Sequence, residues 1–208
     1  MLTYSQPQLD IEEIAILFRN GSTVCYPTET LYGLGCSANS RAGIEKIYDM
    51  KKRDKEKNFT LLFKDIEMIN NHCILKNQET ELIQEFSPGP FSILLDIKET
   101  SAIDNKIVSP SGEICCRISS HPFVKLLFNY IDFPIVSTSA NLSGNKNIFL
   151  FKTIYNSFHN LVDCIIDYGD IAESLGSSII KNTENEAIII REGDLSSRSI
   201  EDFYNGKS

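Results

Sequence analysis

Apolar residues recur at helical spacing over residues 11–19 and again over 41–52, where Ile44, Ile47 and Tyr48 share one face. Between these helices, residues 22–26 are rich in β-forming side chains and stop at Pro27, so a helix feeds a strand. Residues 28–35, dense in hydroxyls and glycine, read as the loop that leads from that strand to the second helix. Further strands are predicted over 59–63, 91–97, 113–118, 135–138, 164–167, 178–181 and 187–191. Helical patterns lie near 66–71, 80–86, 122–130 and 151–158. Strands and helices interleaved in irregular order, some joined by short links, predict an α/β fold whose sheet is of mixed direction rather than regularly doubly wound. The start of the chain is polar, and the tail over 196–208 carries one weak amphipathic turn, so the tail is expected to be loosely attached.

At 208 residues and 42% hydrophobic content the chain can bury one substantial core, and a single globular unit is expected. The formal charge of −8 argues against holding nucleic acid by general electrostatics, although a local basic patch is compatible with it. Cys25, Cys36, Cys73, Cys115, Cys116 and Cys164 show no CxxC pair and no histidine at metal-ligand spacing. Reduced, mostly buried thiols in a cytoplasmic protein are the expectation. No apolar run approaches the ~18 residues of a membrane span, and residues 1–7 lack the pattern of a secretion signal.

Several clusters carry candidate chemistry. Thr28, Glu29 and Thr30 place two hydroxyls and a carboxylate directly after a strand, either to present them to a ligand or to close a turn that Thr28 caps. Lys51, Lys52, Arg53, Lys55 and Lys57 follow a helix C-terminus, where cations complement the dipole in solvent or converge on phosphate oxygens. Residues 137–144, Ser-Thr-Ser-Ala-Asn-Leu-Ser-Gly, follow an apolar strand and form an anion-binding turn or an ordinary Ser/Asn turn. Arg117 ends a strand of buried character and needs an anionic partner, either an internal carboxylate or a substrate carboxylate. Arg191 invites the same two readings, and the Ser177–Ser178 pair after Gly176 is open to a structural role as well. His121, just before Pro122, reads as a helix-start hydrogen-bonding residue or as an acid or base.

Taken in order, PTETLYGLG from Pro27, Lys51-x-Arg53, SPGPFSILL from Ser87, Arg117 with His121-Pro122, STSANLSG from Ser137 and REG from Arg191 resemble the YrdC/Sua5 family of L-threonylcarbamoyladenylate synthases. The resemblance runs from about residue 10 to residue 195 and is to the single-domain type. It implies a YrdC-like twisted mixed sheet, flanked by helices around a concave, positively lined cavity that holds threonine and ATP. Thr28, Arg117, Ser137 and Ser177 are then expected on threonine, with Arg117 on its carboxylate. Lys51, Arg53, Ser139, Asn141 and Arg191 are expected on ATP, and Lys51 and Arg53 are the expected catalytic cations.

The implied reaction joins L-threonine, bicarbonate or CO₂ and ATP into threonylcarbamoyl-AMP and pyrophosphate for modification of a tRNA adenosine. Mg²⁺ is expected to arrive with ATP, and a tRNA-modifying transferase complex to act downstream. Asp54 and Asn58 replace two prolines usual after the Lys-x-Arg pair, so that loop is expected to be less rigid. Ser92 stands where threonine is usual and keeps the hydroxyl. Two other readings stay open: an RNA-binding module using the same concave face, and a YciO-like paralogue, which the segment 58–62 also resembles.

Overall fold

The computed structural model describes residues 2–5, 10–52, 59–141, 146–183 and 186–206. Within them ten strands form one mixed sheet, with seven α-helices packed around it. At one edge β1 (Leu2–Ser5) runs parallel to β8 (Cys164–Asp167), which runs parallel to β2 (Val24–Pro27). Next, β3 (Tyr32–Gly35) lies antiparallel between β2 and β7 (Ile135–Ser139). β7 is antiparallel to β4 (Thr60–Leu62), and β4 is parallel to β6 (Glu113–Arg117). β5 (Phe91–Asp96) pairs antiparallel with β6 and parallel with β9 (Ser178–Asn182), and β10 (Ala187–Arg191) forms the far edge, antiparallel to β9. This is the mixed α/β sheet that the irregular order of elements predicts.

Several helices begin where a capping side chain satisfies their first amides. Asp10 accepts from the amides of Glu12 and Glu13 at 3.0 and 3.1 Å and starts α1 (Ile11–Arg19), which buries Ile11, Ile14, Ala15 and Phe18. Ser40 caps α2 (Arg41–Lys51) in the same way, and Asp65 caps α3 (Ile66–His72). α4 (Asn77–Phe86) and α5 (Pro122–Leu127) follow, then α6 (Phe151–Phe158) and α7 (Ser197–Asn205). In the core, Tyr26 is fully buried, meets Phe18 edge-on at 5.8 Å, and donates its hydroxyl to the Val136 carbonyl at 2.9 Å. All six cysteines are buried and free, as their spacing predicts.

Three segments differ from the expectation. The polar start contributes a strand, β1, because pairing with β8 satisfies its backbone whatever its side chains. Residues 32–35 are a strand rather than loop, with all four positions buried. Glycine disfavours strands, which masked the signal, yet a Cβ on Gly35 would lie 2.1 Å from the Val136 carbonyl oxygen, so only glycine lets β3 and β7 approach. The tail is not loose: α7 buries Ile200 completely, and Phe203 packs on Phe86 of α4 at 5.8 Å.

One consequence of the strand alternation positions the site. Phe91, Ile93 and Leu95 of β5 point into the core, and Phe86 of α4 packs on Phe91 at 5.5 Å. Ser92 and Leu94 therefore point to the opposite face. On that face β7, β4, β6, β5, β9 and β10 present the residues described next.

Candidate functional site

A cavity of about 120 Å³ opens over the middle of the sheet, lined by the 28–33 turn, Thr60 of β4, Arg117 of β6, residues 137–139 of β7, and Ser177, Ile179 and Arg191 from β9 and β10. Eight hydroxyl side chains and two guanidinium groups line it, and among the described residues no carboxylate does. The structure thus gathers Thr28, Arg117, Ser137, Ser139, Ser177 and Arg191 from five separate parts of the sequence.

The turn between β2 and β3 is closed by Thr28, whose hydroxyl donates to the Leu31 carbonyl at 2.6 Å and accepts from the amides of Thr30 and Leu31 at 3.3 and 3.1 Å. The capping role and the position on the cavity wall are therefore held by one side chain. The turn also aims Glu29 at Arg117. Arg117 is 6% exposed and gives Nε to the Gly89 carbonyl at 3.1 Å. Its Nη2 donates to Glu29 Oε1 at 2.8 Å and to Thr30 Oγ1 at 3.1 Å. Glu29 Oε2 accepts a further hydrogen bond from Ser119. Burial pushes the Glu29 carboxyl up, but the charge of Arg117 and the bonds from Ser119 and Arg117 outweigh it and hold its pKa below the usual value.

The internal partner of Arg117 is therefore Glu29, and the arginine is not used up by it. Among the described residues Nη1 has no hydrogen-bond partner, and no buried side-chain nitrogen or oxygen lacks one, so Nη1 is open to the cavity. A carboxylate entering there meets a positioned donor.

Across the cavity, Gly176 turns the chain at φ +89° and delivers Ser177 to the start of β9. Ser177 Oγ accepts from Ser92 Oγ at 2.8 Å and from Arg191 Nη2 at 3.0 Å, which leaves its own proton for another acceptor. Arg191 is anchored by Nε and Nη2 on the Ser177 carbonyl, at 3.0 and 2.6 Å. No carboxylate pairs with it among the described residues, and burial, with repulsion from Arg117, lowers its pKa. The residue as a whole is exposed, and its guanidinium, held in place on Ser177 with no carboxylate partner among the described residues, is placed to take an anion.

The exit of β7 is organised by Lys51. This side chain, 1% exposed at the end of α2, donates to the Ser139 carbonyl, to the Asn141 carbonyl at 2.8 Å and to Asn141 Oδ1 at 3.2 Å. Ser139 Oγ donates to the same Oδ1 at 2.7 Å. Lys51, Ser139 and Asn141 are brought together, while neither Lys51 nor Asn141 is on the cavity wall. Arg53, Lys55, Lys57 and residues 142–144 lie outside the described residues. His121 also stays off the wall: Nδ1 accepts from the Phe123 amide at 3.1 Å and caps α5, the helix-start reading of the sequence. Among the described residues no group of three His, Cys, Asp or Glu side chains converges to hold a metal.

The residues that sequence reasoning passed over are Thr60, Ser119 and the role of Glu29. Glu29 was visible as a lone carboxylate beside two hydroxyls, but its partner lies 88 positions away, and no local pattern links them.

Comparison with known proteins agrees with this architecture. The Sua5/YciO/YrdC family model, described as "Telomere recombination", matches residues 17–193. The threonylcarbamoyl-AMP synthase of Vibrio vulnificus strain YJ016 is 27% identical over 184 residues, covering 86% of this chain and 97% of that protein. The crystal structure of P. abyssi Sua5 complexed with L-threonine matches 97% of this chain at TM-score 0.87 and 26% identity, and this chain spans 59% of its length. E. coli YciO shares the fold at TM-score 0.85 and 22% identity, over 96% of this chain and 98% of that one. With the family model matching most of its length, the chain belongs to the Sua5/YciO/YrdC family.

Proposed function

We propose that this protein is an L-threonylcarbamoyladenylate synthase, making threonylcarbamoyl-AMP and pyrophosphate from L-threonine, bicarbonate or CO₂ and ATP. The observation that carries the reading is the pair Arg117 and Arg191, two guanidinium groups on one hydroxyl-rich cavity with no carboxylate among the described residues of its lining. Such a wall favours ligands that bring negative charge and oxygen acceptors, as an amino-acid carboxylate and a triphosphate do. The relative from P. abyssi, with L-threonine bound, supports the choice of amino acid.

In the proposed reaction threonine's amine adds to CO₂ and loses a proton to give a carbamate. A carbamate oxygen attacks the α-phosphorus of ATP, and the bond to the β-phosphate oxygen breaks as pyrophosphate leaves. Arg117 Nη1 receives the threonine carboxylate, with Thr28, Ser137 and Ser177 orienting the rest of the amino acid. Arg191, Ser139 and Arg53 serve the nucleotide, and Lys51 with Asn141 holds the β7 exit that carries Ser139. These groups offset repulsion between an anionic nucleophile and a polyanion and stabilise charge on the leaving group. Holding both substrates in one site supplies the entropic part. No side-chain nucleophile is required. Mg²⁺ enters as part of the nucleotide substrate, and no step is routed through a protein-bound metal.

The test is pyrophosphate release and adenylate formation from ATP, Mg²⁺, bicarbonate and L-threonine, with serine and no-amino-acid controls. Dependence on both threonine and bicarbonate is the expected result; its absence in folded protein overturns the reading. The whole-length likeness to E. coli YciO keeps a paralogue function as the second reading. Hydrolysis of supplied threonylcarbamoyl-AMP without its formation would favour that one. Transfer of the product to tRNA is assigned to a separate transferase complex.

A further inference from the structure

A second cleft lies behind the residues that hold Arg117. Its volume is about 520 Å³, within the ~300–1,000 Å³ of sites that enclose small ligands. It is bounded by the start of α3, the end of α4, the 87–88 turn, α5 and the chain just past β6. Ile66, Ile83, Pro88, Ile118 and Phe128 make most of its wall apolar.

Two cations stand on the same wall. Lys64 and Lys125 are exposed, and among the described residues neither is in an ion pair. The one carboxylate in the described lining, Asp65, accepts from the Met68 amide at 2.8 Å as the cap of α3. The charge balance favours an anion, and the apolar wall favours a hydrocarbon body attached to it.

Two hydrogen-bond chains join this wall to the substrate cavity. Ser119 donates to Glu29 Oε2, and Glu29 Oε1 accepts from Arg117 Nη2 at 2.8 Å. The Ile118 carbonyl accepts from the Gly89 amide at 2.9 Å, and the Gly89 carbonyl accepts from Arg117 Nε at 3.1 Å. Two of the three groups that anchor Arg117 are thus themselves held by residues 118 and 119, which line the second cleft.

We propose that this cleft is an effector site for a small carboxylate with an apolar chain, and that filling it tightens the binding of threonine. The chain of the ligand lies on Ile66, Ile83, Ile118 and Phe128, and its carboxylate meets Lys64 and Lys125. A ligand packed on Ile118 and Ser119 restricts the supports of Arg117, so threonine has less order left to impose when it binds. The coupling rests on the reading of Arg117 as threonine's partner; the binding of the carboxylate does not.

The experiment titrates the full chain with octanoate by calorimetry, with hexanoate, acetate and octanol as comparisons. Octanoate is expected to bind, each methylene fewer to weaken binding about threefold, and octanol and acetate to bind far more weakly. Lys64→Met/Lys125→Met keeps the aliphatic stems and removes both charges, and a thermal melt checks its fold. It should lose octanoate affinity at least about fivefold and keep the threonine affinity of the ligand-free natural chain. Saturating octanoate should tighten threonine at least about threefold in the natural chain, and threonine should tighten octanoate by the same factor. Hydrogen exchange at the Gly89 amide should slow when octanoate is bound.

Equal binding of octanol and octanoate, or no dependence on chain length, overturns the site. Octanoate that binds without changing threonine affinity, or that weakens it, overturns the effector role. A concentration-dependent dimer that octanoate dissociates, with threonine affinity unchanged, would assign the cleft to a second copy and overturn the proposal as well. A chain that binds octanoate but no threonine at all brings down the proposed function; one that binds threonine but ignores octanoate brings down only the effector site.

Discussion

Arg117 and Glu29 meet at 2.8 Å with side-chain exposures of 6% and 16%, and the arginine keeps one amino group for the cavity. The pair resolves a conflict in the design of the site. A buried cation that waits for a substrate carboxylate needs a counter-charge in the ligand-free state, and a counter-charge on the cavity wall would repel the substrate. Glu29 supplies the charge from off the wall.

Replacing Arg117 by alanine is expected to raise the KM for threonine at least about a hundredfold while ATP affinity changes little, because only the carboxylate loses its charged Nη1 donor. The same change strands Glu29, and a loss of roughly 3 kcal/mol in urea unfolding is expected. Arg117→Lys should recover part of the stability and little of the threonine affinity, since a point charge does not reproduce the planar fork. Equal loss of threonine and ATP binding would instead make the arginine purely structural.

Glu29 should leave a mark on acid stability. Its folded pKa lies below the unfolded value near 4.5, so as pH falls the unfolded chain takes up the proton first. The contribution is complete above about pH 4.5 and lost as the pH drops through the folded value. Denaturation midpoints followed downward from pH 6 should fall less steeply in Glu29→Gln than in the natural chain, from a lower plateau.

Arg191 is the residue at which function and stability are expected to part. It is exposed, with no carboxylate partner among the described residues, so Arg191→Ala should weaken ATP binding about tenfold or more and leave the Tm little changed. A large fall in Tm would show that its hydrogen bonds to Ser177 matter more than its poise for an anion.

Lys51 is expected to behave in the opposite way. Its ammonium binds the carbonyls of Ser139 and Asn141, and Lys51→Met removes that shared donor, though the Ser139 carbonyl keeps the Asn141 amide at 2.9 Å, at a cost of about 1–3 kcal/mol in chemical denaturation. ATP turnover should fall along with the order of the β7 exit. An unchanged unfolding midpoint would exclude this positioning role.

The end of the chain gives the fifth test. Ile200 is fully buried under α7, so Ile200→Ala is expected to cost about 2–4 kcal/mol and removal of residues 197–208 more. A truncated protein as stable as the full chain would contradict the packing of α7.

How far the sequence could be read depended on the range of the signal. α1, α6, β8 and β10 fall where the periodicity places them, because helical spacing and β-rich runs are local. β3 was hidden because its glycines answer to a neighbour: Gly35 is dictated by the Val136 carbonyl, 101 positions on in sequence, not by any preference of its own segment. α7 was hidden because a single buried isoleucine in a polar stretch looks like a tail until Phe86 is seen beneath Phe203.

The same division holds for the site. The order of motifs, the mixed sheet and the buried cysteines were legible from residue type and spacing, and the six wall residues were named from the resemblance that those motifs carry. What only the tertiary structure decided is how charges and hydroxyls are spent: Arg117 shared between Glu29 and the cavity, Ser177 held by Ser92 and Arg191, Lys51 turned onto the β7 exit rather than the wall. Hydrogen bonds and ion pairs act over about 3 Å, and partners at that distance are chosen by strand order and register, which bring together residues that the sequence keeps far apart.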